Sequence, residues 1–325
     1  MKIRAIIACL LVAAATFMTP APGEQWPTKA IKWIVPYQAG SSPDSVTRVL
    51  AEAMSARLGG HPIVIENRAG ASGNLGAQYA ARSPADGYTW VYSSSVMAGN
   101  MKLYKSPGYD VLKDFMHIST FGASDSLLVV NPASGIKSVH ELIERARASP
   151  GKLNFGSSGA GTPSHLGVTM MMMSANFKAE HVPYRGAHAI VAAVLGKEID
   201  FGLPILGVAL SQVQAGELVA LAVAARQRNP ALPDVPTLEE AGVRDVAIES
   251  FGGLSVPAGT ASAIVSRIHQ ALSAALDDPA IVQRLEGMGM SKVKTGTPEA
   301  YAQLLRGEID KTEHMMRAAG IVGLQ

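Results

Sequence analysis

Apolar and polar positions along this chain switch repeatedly between two periods, short β-branched runs giving way to amphipathic stretches. Ile31-Lys32-Trp33-Ile34-Val35 predicts a strand ended by Pro36. Residues 45–58 predict a helix with Val46, Val49, Leu50, Ala53, Met54 and Leu58 on one face, stopped by Gly59-Gly60. Strands are expected at Ile63-Val64-Ile65, 88–92, Leu127–Val130, Leu153-Asn154-Phe155, 180–182 and 218–223. Helices are expected at Val139–Ala148, from Pro163, from Gly186, and at 261–276, 279–288 and Pro298–Ala318. Ser138 followed by Glu141 reads as a capping box at the first of these. Such alternation marks an α/β fold with parallel, doubly wound sheets. No repeat or low-complexity linker interrupts it, so two lobes would be joined on strands, best at 125–131 and 248–254. That places lobe 1 at 24–125 plus 252–325 and lobe 2 at 126–251.

The first residues follow a different rule. Lys2 and Arg4 precede an uncharged apolar run, 5–17, and then the helix-breaking Thr19-Pro20-Ala21-Pro22-Gly23. The run is shorter than the roughly 20 residues a membrane span needs, so it reads as a secretory signal peptide, 1–23, cleaved after Gly23. Lipidation at Cys9 is the rival reading, and it would leave only eight residues for the export signal. Cys9 is the sole cysteine, so the exported chain has no disulfide, zinc-thiolate site or cysteine nucleophile. Without Lys2 and Arg4 the chain carries 26 basic and 26 acidic residues. A neutral protein lacks the basic field that nucleic acid requires, and any anion selectivity has to be local.

Candidate chemistry sits in three loops of one design. Gly40-Ser41-Ser42-Pro43-Asp44 follows the first strand, with Ser42 as expected helix cap and Pro43 as first helical residue. Ser157-Ser158-Gly159-Ala160-Gly161-Thr162-Pro163 repeats the pattern, with Thr162 as cap. Pro183-Tyr184-Arg185-Gly186 opens a third helix and adds a phenol and a fixed charge. Glycines allow close backbone approach, and N–H groups at a helix start bind anions. In open α/β sheets ligands lie beyond the carboxyl ends of strands, where these loops fall. Asp44 cannot attract an anion and is expected to stabilise its helix start instead. Ser94 and Ser95 end another strand and are further candidates. Gly156-Ser157-Ser158-Gly159-Ala160 departs from a nucleophile elbow at Ala160, and a secreted serine hydrolase built on Ser158 and His165 would lack an acid partner. His165 is better placed as a loop brace. Gly159-Ala160-Gly161 lacks the third glycine of a dinucleotide site, and no histidine spacing suits a metal. No catalytic residue, metal or cofactor is expected. The methionine run 170–173 reads as core packing, and Arg68 as the partner of a structural carboxylate.

These motifs, in order, carry a resemblance. Trp26-Pro27, Val35-Pro36-Tyr37 with Gly40 and Asp44, Glu66-Asn67-Arg68-Ala69-Gly70, Asp86-Gly87-Tyr88-Thr89, 151–159, His181-Val182-Pro183-Tyr184-Arg185-Gly186, 231–237 and Pro257-Ala258-Gly259-Thr260 run through 26–321. Together they resemble the tripartite tricarboxylate transporter substrate-binding family, the Bug-type periplasmic receptors. The resemblance implies a two-lobed periplasmic binding protein fold of type II kind, with each lobe a mostly parallel sheet flanked by helices. It also implies an interlobe cleft that closes on a small organic carboxylate, a periplasmic location, and delivery to a membrane permease of the same transporter type. The implied ligand contacts are Tyr37, Gly40, Ser41, Ser42 and Asp44 from one lobe, and Ser157, Ser158, Gly159, Thr162, His165, Tyr184 and Arg185 from the other. Where family members often carry a Phe-Asp-Asn-like stretch, this chain has Leu203-Pro204-Ile205. The departure implies a more apolar distal pocket and argues against an amino-acid ligand. A monomer is the expected state. A ligand-sensing adaptor for a membrane sensor is the alternative role.

Overall fold

The computed structural model describes residues 26–291 and 293–318; the expected export signal and Cys9 lie outside them. The chain begins with β1 (Ile31–Val35), α1 (Ser42–Arg57), β2 (Ile63–Asn67), α2 (Asn74–Ala81), β3 (Thr89–Ser94), α3 (Ser95–Leu103) and β4 (Phe115–Asp125). It continues through β5 (Leu127–Val130), α4 (Val139–Ala148), β6 (Asn154–Ser157), α5 (Pro163–Ser174), β7 (Glu180–Pro183), α6 (Ala187–Leu195), β8 (Phe201–Gly202), α7 (Leu206–Gln214) and β9 (Val219–Val223). It returns with β10 (Glu249–Pro257), α8 (Ser262–Leu276), α9 (Pro279–Glu286), β11 (Met290–Ser291) and α10 (Pro298–Ala318).

Two sheets result, ordered β11-β4-β10-β3-β1-β2 and β7-β6-β8-β5-β9. Both are mixed, which corrects the expectation of mostly parallel sheets. Strands joined through a helix pair in parallel, namely β1 with β2 and β3, and β6 with β7 and β8. The strands that pass between sheets arrive without such a crossover and lie antiparallel: β10 against β3 and β4, β5 against β8 and β9. Only Ser126 separates β4 of the first sheet from β5 of the second. It forms a lone bridge with Ile205, and Leu127 N–H donates to the Pro204 carbonyl at 2.9 Å. The segment 203–205 is thereby pinned to the crossing.

Each sheet buries its own core. In the first, Trp33 meets Trp90 edge-on at 5.4 Å between ring centroids and Phe121 at 6.5 Å, with α1 and α8 closing over them. In the second, Leu128, Val130, Phe155 and Phe201 pack beneath Leu142, Leu166 and Met171. Within the methionine run, Met171 is buried and Met173 exposed, as packing on one helix face requires. Met315 of α10 also joins this second core, although α10 packs chiefly against α3 and β4. Among the described residues no helix is long and apolar enough to cross a membrane.

Trp33 is wholly buried. Trp33→Ala should therefore lower unfolding stability by about 3–5 kcal/mol, read as a shift in the denaturant midpoint at unchanged slope. A loss below about 1 kcal/mol would show that this aromatic cluster does not hold the first sheet.

Candidate functional site: a cleft edged by helix starts

The loops that follow the strands of both sheets face one cleft of about 870 Å³, within the usual range for small-ligand sites. Six helix starts reach its wall: α1 at Ser41-Ser42-Pro43, α2 behind Gly70–Gly73, α3 at Ser94-Ser95, α5 at Thr162-Pro163, α6 at Gly186-Ala187 and α7 at Ile205. An α-helix leaves its first N–H groups without intrahelical partners, and its dipole adds roughly half a positive charge there. Side chains usually fill that deficit, as Ser138 Oγ does for Glu141 N–H in α4. At the cleft only α3 is capped this way, by Ser94; the starts of α1, α2, α5, α6 and α7 make no side-chain cap bond. Two hydroxyls on the wall, Ser41 Oγ and Ser95 Oγ, are buried and unpartnered. The wall thus presents a surplus of donors, while its only ionisable basic side chains are Arg185 and His188. That arrangement suits an anion.

Behind the α1 loop stands a clamp. Asp44 is almost wholly buried and accepts from Gly40 N–H at 2.9 Å and from Asn67 Nδ2 at 2.9 Å. Arg48 holds both of its oxygens at 3.0 Å. Asn67 Nδ2 also donates to the Tyr37 carbonyl at 3.1 Å, tying β2 to the loop. Burial alone would raise the Asp44 carboxyl; Arg48, the Gly40 N–H and Asn67 outweigh it and hold it below the ordinary value. Tyr37 Oη shares a 2.9 Å bond with Ser94 Oγ, and burial pushes the phenol up to about 12, so it stays neutral.

The α5 loop is braced by histidines. Ser157 Oγ accepts from Gly159 N–H at 3.1 Å and shares a 2.6 Å bond with His181 Nε2. His181 stacks on His165 at 4.1 Å between centroids, and His165 Nδ1 accepts from Gly161 N–H at 3.0 Å. Thr162 Oγ1 donates to the Gly159 carbonyl at 2.7 Å, and Ser164 Oγ accepts from Ser158 N–H at 3.0 Å. Gly161 has φ +74°, and a Cβ there would collide with Leu103 of α3, so glycine lets the two walls touch.

Over residues 46–321 the chain matches the tripartite tricarboxylate transporter family receptor profile. It belongs to that family. BugT of Bordetella pertussis is 30% identical over 313 residues, spanning 96% of this chain and 95% of BugT. The solved structure of Rpa4515 from R. palustris with adipate superposes with a TM-score of 0.87 at 30% identity, over 92% of this chain and 100% of that one. The periplasmic binding protein BugD superposes with a TM-score of 0.85 at 28% identity, over 92% and 100%. The chain is thus a two-lobed α/β solute receptor of the Bug kind, as its motifs imply.

Ten of the expected contacts of this receptor line the cleft: Tyr37, Gly40, Ser41, Ser42, Ser94, Ser95, Ser158, Thr162, Tyr184 and Arg185. Four stand off the wall. Asp44, Ser157 and His165 are committed to the loop bonds above, and Gly159 lies within the same brace. Their residue types suit a ligand, but their hydrogen bonds are already spent on backbone N–H groups. One cap assignment also changes. The helix begins at Ser42, so Ser41 takes the cap position and Pro43 the second turn position, because Asp44 closes the preceding turn on Gly40. Thr162 holds its cap position, yet its hydroxyl points back to Gly159. The sequence reading missed the loop Ala69–Gly73, Ser126, Ser250 and Phe251 on the wall. Ala69-Gly70-Ala71-Ser72-Gly73 has the same small-residue design as the other loops; it lacked only the proline that marks a helix start. Arg68 pairs with Glu66 at 2.5 Å, the structural carboxylate expected of it.

The histidine brace has a pH signature. Burial, and then His181, push His165 down to about 4 from 6.5, and burial lowers His181. His117, in the other lobe, is pushed down to about 4 by its own burial. Groups with depressed basicity are neutral in the folded state, so stability is full above pH 6.5 and is lost as pH falls towards about 4. The melting temperature should drop through that window, and His165→Gln with His181→Gln should flatten the slope in part, His117 supplying the remainder. An unchanged slope in the double variant would show that the brace does not titrate.

Proposed function

We propose that this chain is an exported periplasmic receptor that binds a small organic carboxylate in the cleft, unaltered, and hands it to a membrane permease of the tripartite tricarboxylate type. The observation that carries the reading is the set of uncapped helix starts around a cleft wall that bears no acidic side chain. A carboxylate is acceptor-only when ionised, and each charge-assisted bond to such donors contributes about 1.5–3 kcal/mol. Lobe 1 would comprise 24–125 plus 252–325 and lobe 2 would comprise 126–251, acting as a monomer. Tyr37, Ser41, Ser42, Ser94 and Ser95 would offer donors from the first lobe, and Ser158, Tyr184 and Arg185 from the second, while Gly40 and Thr162 would shape the wall with their own donors held within the loops.

The body of the ligand is apolar. Leu203, Ile205 and Val208 line the cleft on the β8 side, next to the α5 loop. Adipate, present in Rpa4515, has the corresponding chemistry: carboxylates joined by methylenes. A polar or zwitterionic body would leave its own groups unpaired against these side chains.

A thermal-shift screen of the stripped protein against mono-, di-, tri- and aromatic carboxylates and amino acids tests this. A ligand at 100 times its Kd should stabilise by about 2.7 kcal/mol, a rise of several degrees. Adipate or a near homologue should shift the protein, and Leu203→Asn should weaken that ligand about tenfold or more. Glutamate or aspartate binding tighter than every non-amino carboxylate would overturn the apolar-body assignment, and a flat panel would overturn the receptor reading for carboxylates.

A further inference from the structure

A second, partly open cavity of about 20 Å³ adjoins the cleft, and several polar side chains stand in its largely apolar lining. Ser95 and Asn100 of α3, Thr162 at the start of α5, Glu249 of β10, and Glu308 and Lys311 of α10 border it. It shares Ser95, Val96, Thr162 and Pro163 with the cleft, so one layer of side chains separates the two. These are the same helix starts that offer donors to an anion.

A buried carboxyl at this place is chemically odd. The Glu308 side chain is only 14% exposed, and its charged neighbour Lys311 stands 3.8 Å away. Lys311 Nζ meanwhile donates to the Ala247 carbonyl at 3.2 Å, on the segment leading into β10. Glu249 borders the same cavity, whereas α3 and α5 contribute neutral groups there. Ionised Glu308 would thus add negative charge behind an anion site and offer no donor. Neutral Glu308 carries an O–H, and two residues bordering the same cavity have buried oxygens without hydrogen-bond partners, Asn100 at Oδ1 and Ser95 at Oγ. The volume admits one water between them.

We propose that Glu308 is a proton-binding site linked to the cleft, so that capture of a carboxylate is accompanied by uptake of a proton from solvent onto the Glu308 carboxylate. The proposal rests on the carboxylate reading above. Burial, only partly opposed by Lys311, pushes Glu308 up to about 7, where a small perturbation changes its charge. A second carboxylate across the residues that cavity and cleft share raises it further. With a rise of about one unit, roughly 0.4 proton is taken up per ligand at pH 7, and affinity falls about tenfold between pH 6 and pH 9. His165 of the cleft brace is neutral over that range, and burial lowers His181 in the same direction.

The sign for stability is opposite to that of the histidines. A carboxyl raised from 4.5 to about 7 keeps its proton in the folded state, so its contribution is full at low pH and lost as pH rises through 7. Glu308→Gln fixes the neutral form and should melt higher than the native protein at pH 8.5.

The test is isothermal titration calorimetry with the carboxylate giving the largest thermal shift, at pH 7 in phosphate and in Tris. Their different ionisation enthalpies report protons taken up. Uptake in the native protein, absent in Glu308→Gln, with affinity of the variant independent of pH from 6 to 9, is the expected result. Binding with no proton uptake overturns the proposal and leaves the receptor reading intact. Uptake that persists in Glu308→Gln places the proton elsewhere and also overturns it. If no carboxylate binds at all, both fall. Should Glu308→Gln fail to fold, Glu308→Met with the native proton count decides the matter by the same criteria.

Discussion

Backbone N–H groups at a helix start need an acceptor, and in this receptor five cleft helices begin without a side chain to provide one. Everything around the cleft is arranged to keep those groups in place and open. Asp44 takes the Gly40 N–H and anchors it through Arg48 and Asn67, so the loop before α1 cannot relax towards its own helix. His165 does the corresponding work for Gly161, and Ser157 for Gly159. In each loop polar side chains absorb turn N–H groups, one in the α1 loop and three in the α5 loop, and so fix the backbone that carries the helix start. Preorganisation of this kind lowers the ordering cost of binding more than any added contact would.

Charge follows the same economy. The chain's net charge of +2 gives little long-range steering of an anion, and among the described residues the cleft wall carries Arg185 and His188 with no carboxylate facing them. Arg185, helix dipoles and neutral donors together would be the attraction, and the dipoles and neutral donors act only at hydrogen-bonding range. Tyr37 fits this scheme, since burial keeps its phenol neutral and the Ser94 hydroxyl links it to the start of α3. An acidic group anywhere near the wall would undo the balance. Asp44 avoids this because Arg48 neutralises it on the far side of the loop, and Glu308 raises the problem afresh behind α3.

Much of this was legible in the sequence, for definable reasons. The β1, β5 and β6 strands and the α4 and α10 helices have strong period and clear ends, and Pro43 and Pro163 marked helix starts that reach the cleft wall. The β4 strand was read only at its end because Gly122, Ser119, Thr120 and Ser124 dilute its apolar pattern; those residues pair with β10, not with a helix-covered face. α2, α3 and α7 begin at Asn74, Ser95 and Leu206 without a proline or a capping box, so no local signal announced them. The parallel-sheet expectation failed at strands that change lobes, a property of the whole chain path and not of any segment. Residue type identified the right loops but could not say which polar group turns inward. Asp44 and His165 look like ligand contacts until their backbone partners are known.

Closure explains why both walls carry the same unfinished chemistry. A carboxylate offers about four lone-pair sites, and the α1 loop alone cannot address opposite faces of it. The α5 and α6 starts stand on the opposite wall, so a carboxylate between the two walls would meet donors on both of its faces. The joint between lobes has to permit that approach. Gly161 meets Leu103 of α3, and Gly207 meets Gly289 and the Met288 carbonyl, places where any side chain would hold the lobes apart. Ser126 and the pinned 203–205 segment lie between these contacts and on the wall at once. The apolar end of the cleft is therefore part of the crossing itself, and a ligand body packed against Leu203 and Ile205 would touch the segment pinned to the strand passing between the two sheets.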